Sequence, residues 1–247
     1  MRHGVTTTER ERPRRTSEAI TLSVVCAAQF MVVLDISVVN VALPSIKDSL
    51  GFDDSGLQWV VNAYALTFAG FLLLGGRLAD LAGRRRVLLI GLAAFSAASL
   101  AGGLVDSAGP LVIARAVQGL GAALLAPTTL TILTASFPEG PRRTRALATW
   151  TAVGIAGGTA GNLVGGLLTE YLSWRSTLLI NVPIGLAAAV LTVRYITADK
   201  PAPSRPRLDV SGAVLATAGL GILAYGITQA ASCLLYTSDA ADEEDSV

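Results

Sequence analysis

The chain has 247 residues, of which 52% are hydrophobic and 15% are charged, and its net charge at pH 7 is +1. A soluble domain of this size carries about a quarter charged residues, so the composition favours a membrane protein. The small net charge gives no attraction to nucleic acid. His3 stands alone, and Cys26 and Cys233 lack metal-ligand or disulfide spacing. We therefore expect no metal site, no cofactor and no enzymatic activity.

Seven apolar segments are long enough to span a bilayer, which takes about 20 apolar residues in a helix. Backbone polar groups in lipid must pair within their own segment, so these spans are predicted to be helices. The fold class is thus all-α, a polytopic membrane protein with a six-helix bundle and the start of a seventh span. The segments are Ala19–Leu43, Leu57–Ala79, Val87–Val105, Pro110–Leu133, Ala146–Leu168, Leu178–Ile196 and Val210–Gln229.

The remaining segments set the predicted domain organisation. The first apolar run is too long for a signal peptide, so it is expected to stay as an uncleaved span. The sequence CLLYTSDAADEEDSV at the end resembles translated adapter sequence, which predicts a non-native tail, the alternative being a native acidic tail. The predicted parts are a basic tail at 1–18, the bundle at 19–196, a proline-rich linker at 197–209, a seventh span at 210–230 and the tail at 231–247.

Basic residues are distributed unequally between alternate loops. Fourteen lie on the side of the amino terminus, against only Lys47 and Arg175 on the other side. Cytoplasmic loops carry the excess of lysine and arginine. The pattern therefore predicts a multi-pass protein of the cell membrane with a cytoplasmic amino terminus.

Two charged residues fall deep inside predicted spans, away from their ends. Asp35 lies in MVVLDISVVNVALP, where an ionised carboxylate is costly unless it is paired, hydrated or protonated. Burial disfavours its charged form, which suits reversible protonation, although a carboxyl that only packs against a neighbouring helix is the alternative. Arg115 cannot readily lose its proton, so it must be paired or hydrated. It either serves a polar network with Gln118, three residues later on the same face, or tethers loop carbonyls.

Other polar residues in the spans are candidates for lining a cavity. Gln29 and Asn40 share a helical face, because eleven residues return the helix almost to the same direction. The full candidate set is Gln29, Asn40, Asn62, Tyr64, Gln118 and Asn162.

Glycines recur at four-residue intervals in the fifth span and predict close helix packing. This face is expected either to pack statically or to let helices shift during transport. The predicted packing glycines are Gly154, Gly157, Gly158, Gly161 and Gly165.

Four segments together resemble the major facilitator superfamily, and within it the fourteen-helix drug:proton antiporter family. The polar loop Gly76–Val87 resembles the family's loop between spans two and three. Leu34–Pro44 resembles the first-span antiporter signature, and Ile113–Ala123 resembles the fourth-span arginine motif. Trp174–Gly185 resembles the stretch that enters span six. The chain departs from the family at Gly161–Asn162, where antiporters usually carry Gly-Pro.

The resemblance implies a secondary transporter that exports small amphipathic or hydrophobic compounds in exchange for protons by alternating access. Asp35 would exchange the proton and Arg115 would modulate it. Gly76, Asp80, Gly83 and Arg84 would form a cytoplasmic latch that holds a helix of the second bundle.

The expected partners are membrane lipid, protons, a small-molecule substrate and a carboxy-terminal bundle that the chain lacks, but no nucleic acid. No phosphate-binding loop is present, so an ion gradient is expected to supply the energy. The alternatives are a proton-coupled metabolite symporter and an inactive fragment, because such transporters bind substrate between two bundles.

Overall fold

The computed structural model describes residues 8–197 and eight isolated residues between 211 and 226, all eight of them helical. Side chains are described from Glu18 to Thr197, apart from Asp54 and Ser55, and at the same eight residues between 211 and 226. The linker, the tail and most of the predicted seventh span lie outside the described residues. Within the described part the chain is entirely helical, with six segments long and apolar enough to cross a membrane. The helices are α1 Thr8–Leu50, α2 Asp54–Ala82, α3 Arg84–Leu104, α4 Ala108–Ser136, α5 Pro141–Tyr171, α6 Trp174–Leu179 and α7 Asn181–Tyr195.

The helices extend beyond the predicted apolar spans at most ends. The largest difference is in α1, which begins at Thr8 rather than at Ala19 and continues through Pro44 to Leu50. The residues before Ala19 are rich in glutamate and arginine, which have high helix propensity, so the helix continues past the end of the apolar run. Hydropathy marks the part of a helix suited to lipid and not the whole helix.

The sixth span is divided into α6 and α7 at Ile180. Pro183 has no backbone N–H, so the carbonyl of Leu179, four residues earlier, loses its helical donor. The break places Asn181 at the first position of α7, near the middle of the bundle.

The helices α1 and α4 form the centre of the bundle. In each, 56% of the most apolar stretch is buried, a larger share than in the other spans. α5 packs against α1, and α2 packs against α4. α3 packs against α4 and against the α6–α7 span, which in turn packs against α1.

Two apolar clusters fill the two halves of this core. One contains Met31 and Phe95, and the other contains Val38 and Leu178. Between the two clusters lies a group of buried polar side chains around Asp35.

Helix ends are tied together by arginines. Arg85 donates from Nη2 to the carbonyl of Val193 over 2.7 Å, which joins the start of α3 to the end of α7. Arg143 donates to the carbonyls of Thr134 and Phe137 at the end of α4. These bonds satisfy carbonyls that a helix end leaves without a partner. We call the end of the bundle that carries Arg85 and Arg143 the basic end.

Candidate functional site

An ion pair between Asp35 of α1 and Arg115 of α4 lies at the centre of the bundle. Arg115 Nη1 is 2.5 Å from Asp35 Oδ2, and the two side chains are 2% and 0% exposed. A buried charge is costly unless it is paired and hydrogen-bonded, so each of these residues compensates the other. The two predicted intramembrane charges are thus in direct contact, although 80 residues separate them in sequence.

Neutral side chains complete the shell around the carboxylate. Gln118 Nε2 donates to Asp35 Oδ1 over 3.0 Å, and Asn181 Nδ2 donates to the same oxygen over 2.7 Å. Gln118 Nε2 also lies 2.7 Å from Ser99 Oγ. Asp35 of α1 is therefore held by α4 and α7 directly, and by α3 through Gln118.

Arg115 makes three further contacts besides the ion pair. Its Nε donates to the carbonyl of Val60 over 3.0 Å, and its Nη1 donates to Gln118 Oε1 over 3.0 Å. The guanidinium carbon lies 4.4 Å from the centre of the Tyr64 ring, within the range of a cation–π interaction. These contacts fix the arginine between α1 and α2.

A cleft of about 290 Å³ lies between α1 and α2, and Arg115 forms part of its wall. Asp35 itself is fully buried and is not among the lining residues. A molecule in the cleft therefore meets Arg115 before it can reach the carboxylate. The lining is mostly apolar and consists of Ile36, Val39, Asn40, Val61, Tyr64, Ala65, Phe68, Ala69 and Arg115.

The candidate cavity residues divide into three groups. Asn40 and Tyr64 line the cleft, whereas Gln118 lies in the shell of the ion pair. Gln29 packs near Gly154 of α5, so it does not share the cleft with Asn40. Asn62 is half-buried and Asn162 is exposed, and neither lines this cleft.

The predicted glycines of the fifth span lie against α1. A β-carbon at Gly157 would be 3.0 Å from the carbonyl oxygen of Phe30, and one at Gly161 would be 2.6 Å from Ser37 Cβ. A β-carbon at Gly165 would lie 2.9 Å from Val38 Cα. Gly154 and Gly158 have more room, since their nearest neighbours would be 3.5 and 3.6 Å away. Three of the five glycines are thus needed for the close approach of the helices.

The predicted latch residues lie at the basic end, where α2 turns into α3. Gly83 has φ +94°, a conformation that favours glycine, and it links the two helices directly. Asp80 is exposed and Arg84 is half-buried. Among the described residues neither forms an ion pair, so both are available at this end of the bundle.

Sequence reasoning missed Asn181 and Ser99 in the shell of the carboxylate. Both are fully buried. Asn181 lies inside the apolar run of the sixth span, so the rule that singled out Asn62 and Asn162 also applied to it. Serine gave no signal, because its hydroxyl can bond its own helix backbone and is common in membrane helices.

Comparisons with known proteins agree on the fold. A sequence model of the Major Facilitator Superfamily matches residues 25–236. A crystal structure of the peptide transporter POT in complex with sulfate aligns with a TM-score of 0.66 at 18% identity. The alignment covers 85% of this chain and 45% of that transporter.

Three curated relatives are similar over most of this chain. The cephamycin export protein CmcT of Amycolatopsis lactamdurans is 57% identical over 88% of this chain and 45% of its own length. The puromycin resistance protein pur8 of Streptomyces alboniger is 46% identical over 85% of this chain and 42% of its own. The multidrug resistance protein Stp of Mycobacterium tuberculosis is 40% identical over 86% of this chain and 40% of its own. The chain therefore spans less than half the length of these relatives.

Proposed function

Because the chain belongs to the major facilitator superfamily, we propose that it forms the amino-terminal bundle of a secondary transporter that exports small amphipathic or hydrophobic compounds in exchange for protons. The names of the relatives, which are export and resistance proteins, support the direction of transport. The mostly apolar lining of the cleft supports the class of substrate.

The observation that carries the coupling is the position of Arg115 between the cleft and Asp35. With Asp35 ionised, the pair is neutral and the guanidinium is held on the carboxylate. Protonation of Asp35 removes the negative charge and leaves Arg115 with an uncompensated positive charge at the wall of the cleft. Protonation and substrate binding therefore both act on Arg115, which links the two events as antiport requires.

The rest of the transporter belongs to the same proposal. The substrate would be enclosed between this bundle and a second bundle, joined through the linker at 197–209 and the seventh span at 210–230. Asp80 and Arg84, exposed or half-buried at the basic end, would bind a helix of that second bundle. The basic end would face the cytoplasm, as the excess of arginine there supports.

The test is transport in everted membrane vesicles by a transporter that contains this chain, with Asp35→Asn. Asparagine keeps the shape of the side chain but cannot exchange a proton. We therefore expect proton-coupled efflux to fall at least about tenfold, which corresponds to an activation barrier higher by about 1.4 kcal/mol. Efflux at the wild-type rate would remove Asp35 from the mechanism. Uptake with the proton gradient, and no efflux, would favour a symporter instead.

The chain offers a matched control in Asp106→Asn. Asp106 also pairs with an arginine, since Arg175 Nη2 lies 2.5 Å from its Oδ1, but its side chain is 90% exposed at the opposite end of the bundle. The same chemical change there should leave efflux unaltered, because exposed ion pairs contribute about 0–1 kcal/mol. A second comparison, of residues 1–247 alone with the chain joined to a second bundle, tests whether one bundle is inactive by itself.

A further inference from the structure

The side chain of Asn181 has an unused acceptor next to the carboxylate of Asp35. Its Nδ2 donates to Asp35 Oδ1 over 2.7 Å, and both side chains are fully buried. Its own Oδ1 is also buried and has no hydrogen-bond partner in the described part of the chain. A buried polar atom without a partner is uncommon and calls for an explanation.

The other donors to Asp35 have no such spare acceptor. Arg115 carries only donors. Gln118 uses its Oε1 to accept from Arg115 Nη1 over 3.0 Å, so its amide cannot turn without breaking that bond. Within the described part of the chain, Asn181 is therefore the direct neighbour of the carboxylate whose amide can turn without breaking a second hydrogen bond.

We propose that Asn181 is a two-state positioning residue whose amide turns when Asp35 takes up a proton, an inference that rests on the proposed proton exchange at Asp35. The Asn181 N–H donates to the ionised carboxylate. When a hydronium ion gives its proton to Oδ1 of Asp35 and leaves as water, the new O–H is itself a donor and faces the Asn181 N–H. A half-turn of the amide then breaks the N–H···O hydrogen bond and replaces it with one from the protonated carboxyl to Asn181 Oδ1.

This exchange would connect the proton to the sixth span. Asn181 is the first residue of α7, directly after the break at Ile180. A change in the side chain at a helix break can move the two halves with fewer backbone bonds to disturb. Protonation of Asp35 on α1 would therefore change its contacts with Asn181 on α7 as well as with Arg115 on α4.

The charged and titratable groups that face Asp35 are few. Among the described residues they are Arg115 from α4 and Tyr64 from α2, whose ring lies against the guanidinium. α7 presents Asn181, α3 presents Ser99 through Gln118, and α5 presents its glycine face, all of them neutral. A pH-dependent change at this level is thus assigned to the carboxyl of Asp35.

The experiment is isotope-edited infrared spectroscopy of the purified chain in lipid, titrated with acid, comparing Asn181→Leu with the wild type. The carbonyl band of protonated Asp35 is assigned by its absence in Asp35→Asn. Leucine has the same branched arrangement of heavy atoms but neither donates nor accepts, so the protonated carboxyl loses a partner and its band moves to higher frequency.

Two further variants keep the test decisive if leucine disturbs folding. Asn181→Ala should displace the band in the same direction, and Asn181→Ser should restore it toward the wild-type position, since a hydroxyl both donates and accepts. Asn62→Leu is the matched control, a half-buried asparagine of α2 outside the shell, and should leave the band unchanged.

Two results would overturn the inference. An unmoved band in a folded Asn181→Leu would show that Asn181 does not accept from the protonated carboxyl and serves only the ionised state. That result leaves proton exchange at Asp35 intact. Absence of an Asp35 band at every pH in the wild type would instead overturn the proposed proton exchange, and the inference with it.

Discussion

Two helix contacts in this bundle both depend on glycine, but they are built differently. In the α1–α5 contact, Gly157, Gly161 and Gly165 rest on an α1 surface from which no side-chain hydrogen bond crosses to α5 between residues 30 and 41. In the α2–α4 contact the glycines also rest on backbone carbonyls, but closer still, and a hydrogen bond from Thr67 crosses between the helices. The second contact is therefore the tighter fit and has a directional bond that the first contact lacks.

Pro127 explains one of the polar groups in the α2–α4 contact. Proline inside α4 removes the donor that would pair with the carbonyl of Ala123. Gly75 of α2 lies against that carbonyl, so closely that a β-carbon there would overlap its oxygen. One turn before Ala123 on α4, Gly119 meets the backbone of Tyr64 and the hydroxyl of Thr67 in the same way. We therefore expect the α2–α4 pair to move as a unit.

The largest effect is expected for Gly119→Ala. The added methyl group would overlap the carbonyl oxygen of Tyr64 and the hydroxyl of Thr67, which would force α2 away from α4. Overpacking of this kind costs about 1–3 kcal/mol, more than the helix propensity gained by replacing glycine, about 1 kcal/mol. The measurement is the midpoint of unfolding by SDS in mixed micelles, followed by circular dichroism. Gly76→Ala is the control, since its nearest neighbour would be 3.6 Å away, and equal stability of both variants would contradict the close α2–α4 contact.

A smaller effect is expected for Gly161→Ala in the α1–α5 contact. Its β-carbon would lie 2.6 Å from Ser37 Cβ, but no crossing hydrogen bond opposes a small shift of α5. The expected loss is about 1 kcal/mol after the gain in helix propensity. Gly166→Ala, with open space around its added methyl group, should be neutral or slightly stabilising.

The same pair of variants separates static packing from sliding of α5 along α1. If the contact only holds the fold, Gly161→Ala lowers transport in proportion to the amount of folded protein. If the helices shift on each other during transport, the rate per folded molecule falls as well. Transport in vesicles, divided by the folded fraction, distinguishes the two interpretations.

The hydropathy of the chain was enough to predict the spans but not their internal geometry. Every described span contains its predicted apolar segment or differs from it by one residue at an end. The break at Ile180 was missed because Pro183 and Asn181 lie within a long apolar run, where an averaged hydropathy hides both. Membership of the major facilitator superfamily was predicted from four motifs in order, and the match over residues 25–236 confirms it.

The site was predictable only in part. Asp35 and Arg115 stood out because charges are rare in lipid, and Gln118 followed from helical spacing. Their contact depends on how α1 and α4 pack, which one sequence does not contain. Asn162 and Asn181 carry the same side chain in apolar spans, yet one is exposed and the other fully buried. The two asparagines differ because one lies on the outer face of its helix and the other on the inner face. In a glycine-rich span such as α5, the sequence indicates only weakly which face is buried.

The smallest effect is expected for Thr67→Val, which removes the hydrogen bond that crosses from α2 to α4. Thr67 Oγ1 lies 2.9 Å from the carbonyl of Ala116. It also lies 2.8 Å from the carbonyl of Ala63 and 3.1 Å from that of Tyr64 in its own helix. A hydroxyl has one proton, so the crossing bond shares it with two acceptors in α2.

The net contribution of the crossing bond should therefore not exceed about 0.6 kcal/mol, the average for hydrogen bonds between membrane helices. Valine keeps the shape of threonine, and Thr67→Ser keeps the hydroxyl, so stability should follow the order threonine, serine, valine in the same SDS titration. A loss above about 2 kcal/mol would mean that the proton is committed to Ala116, and that this bond rather than the glycine fit fixes α2 on α4. Combining Thr67→Val with Gly119→Ala tests the same point, because a methyl group at residue 119 should displace the hydroxyl first, so the two losses should be less than additive.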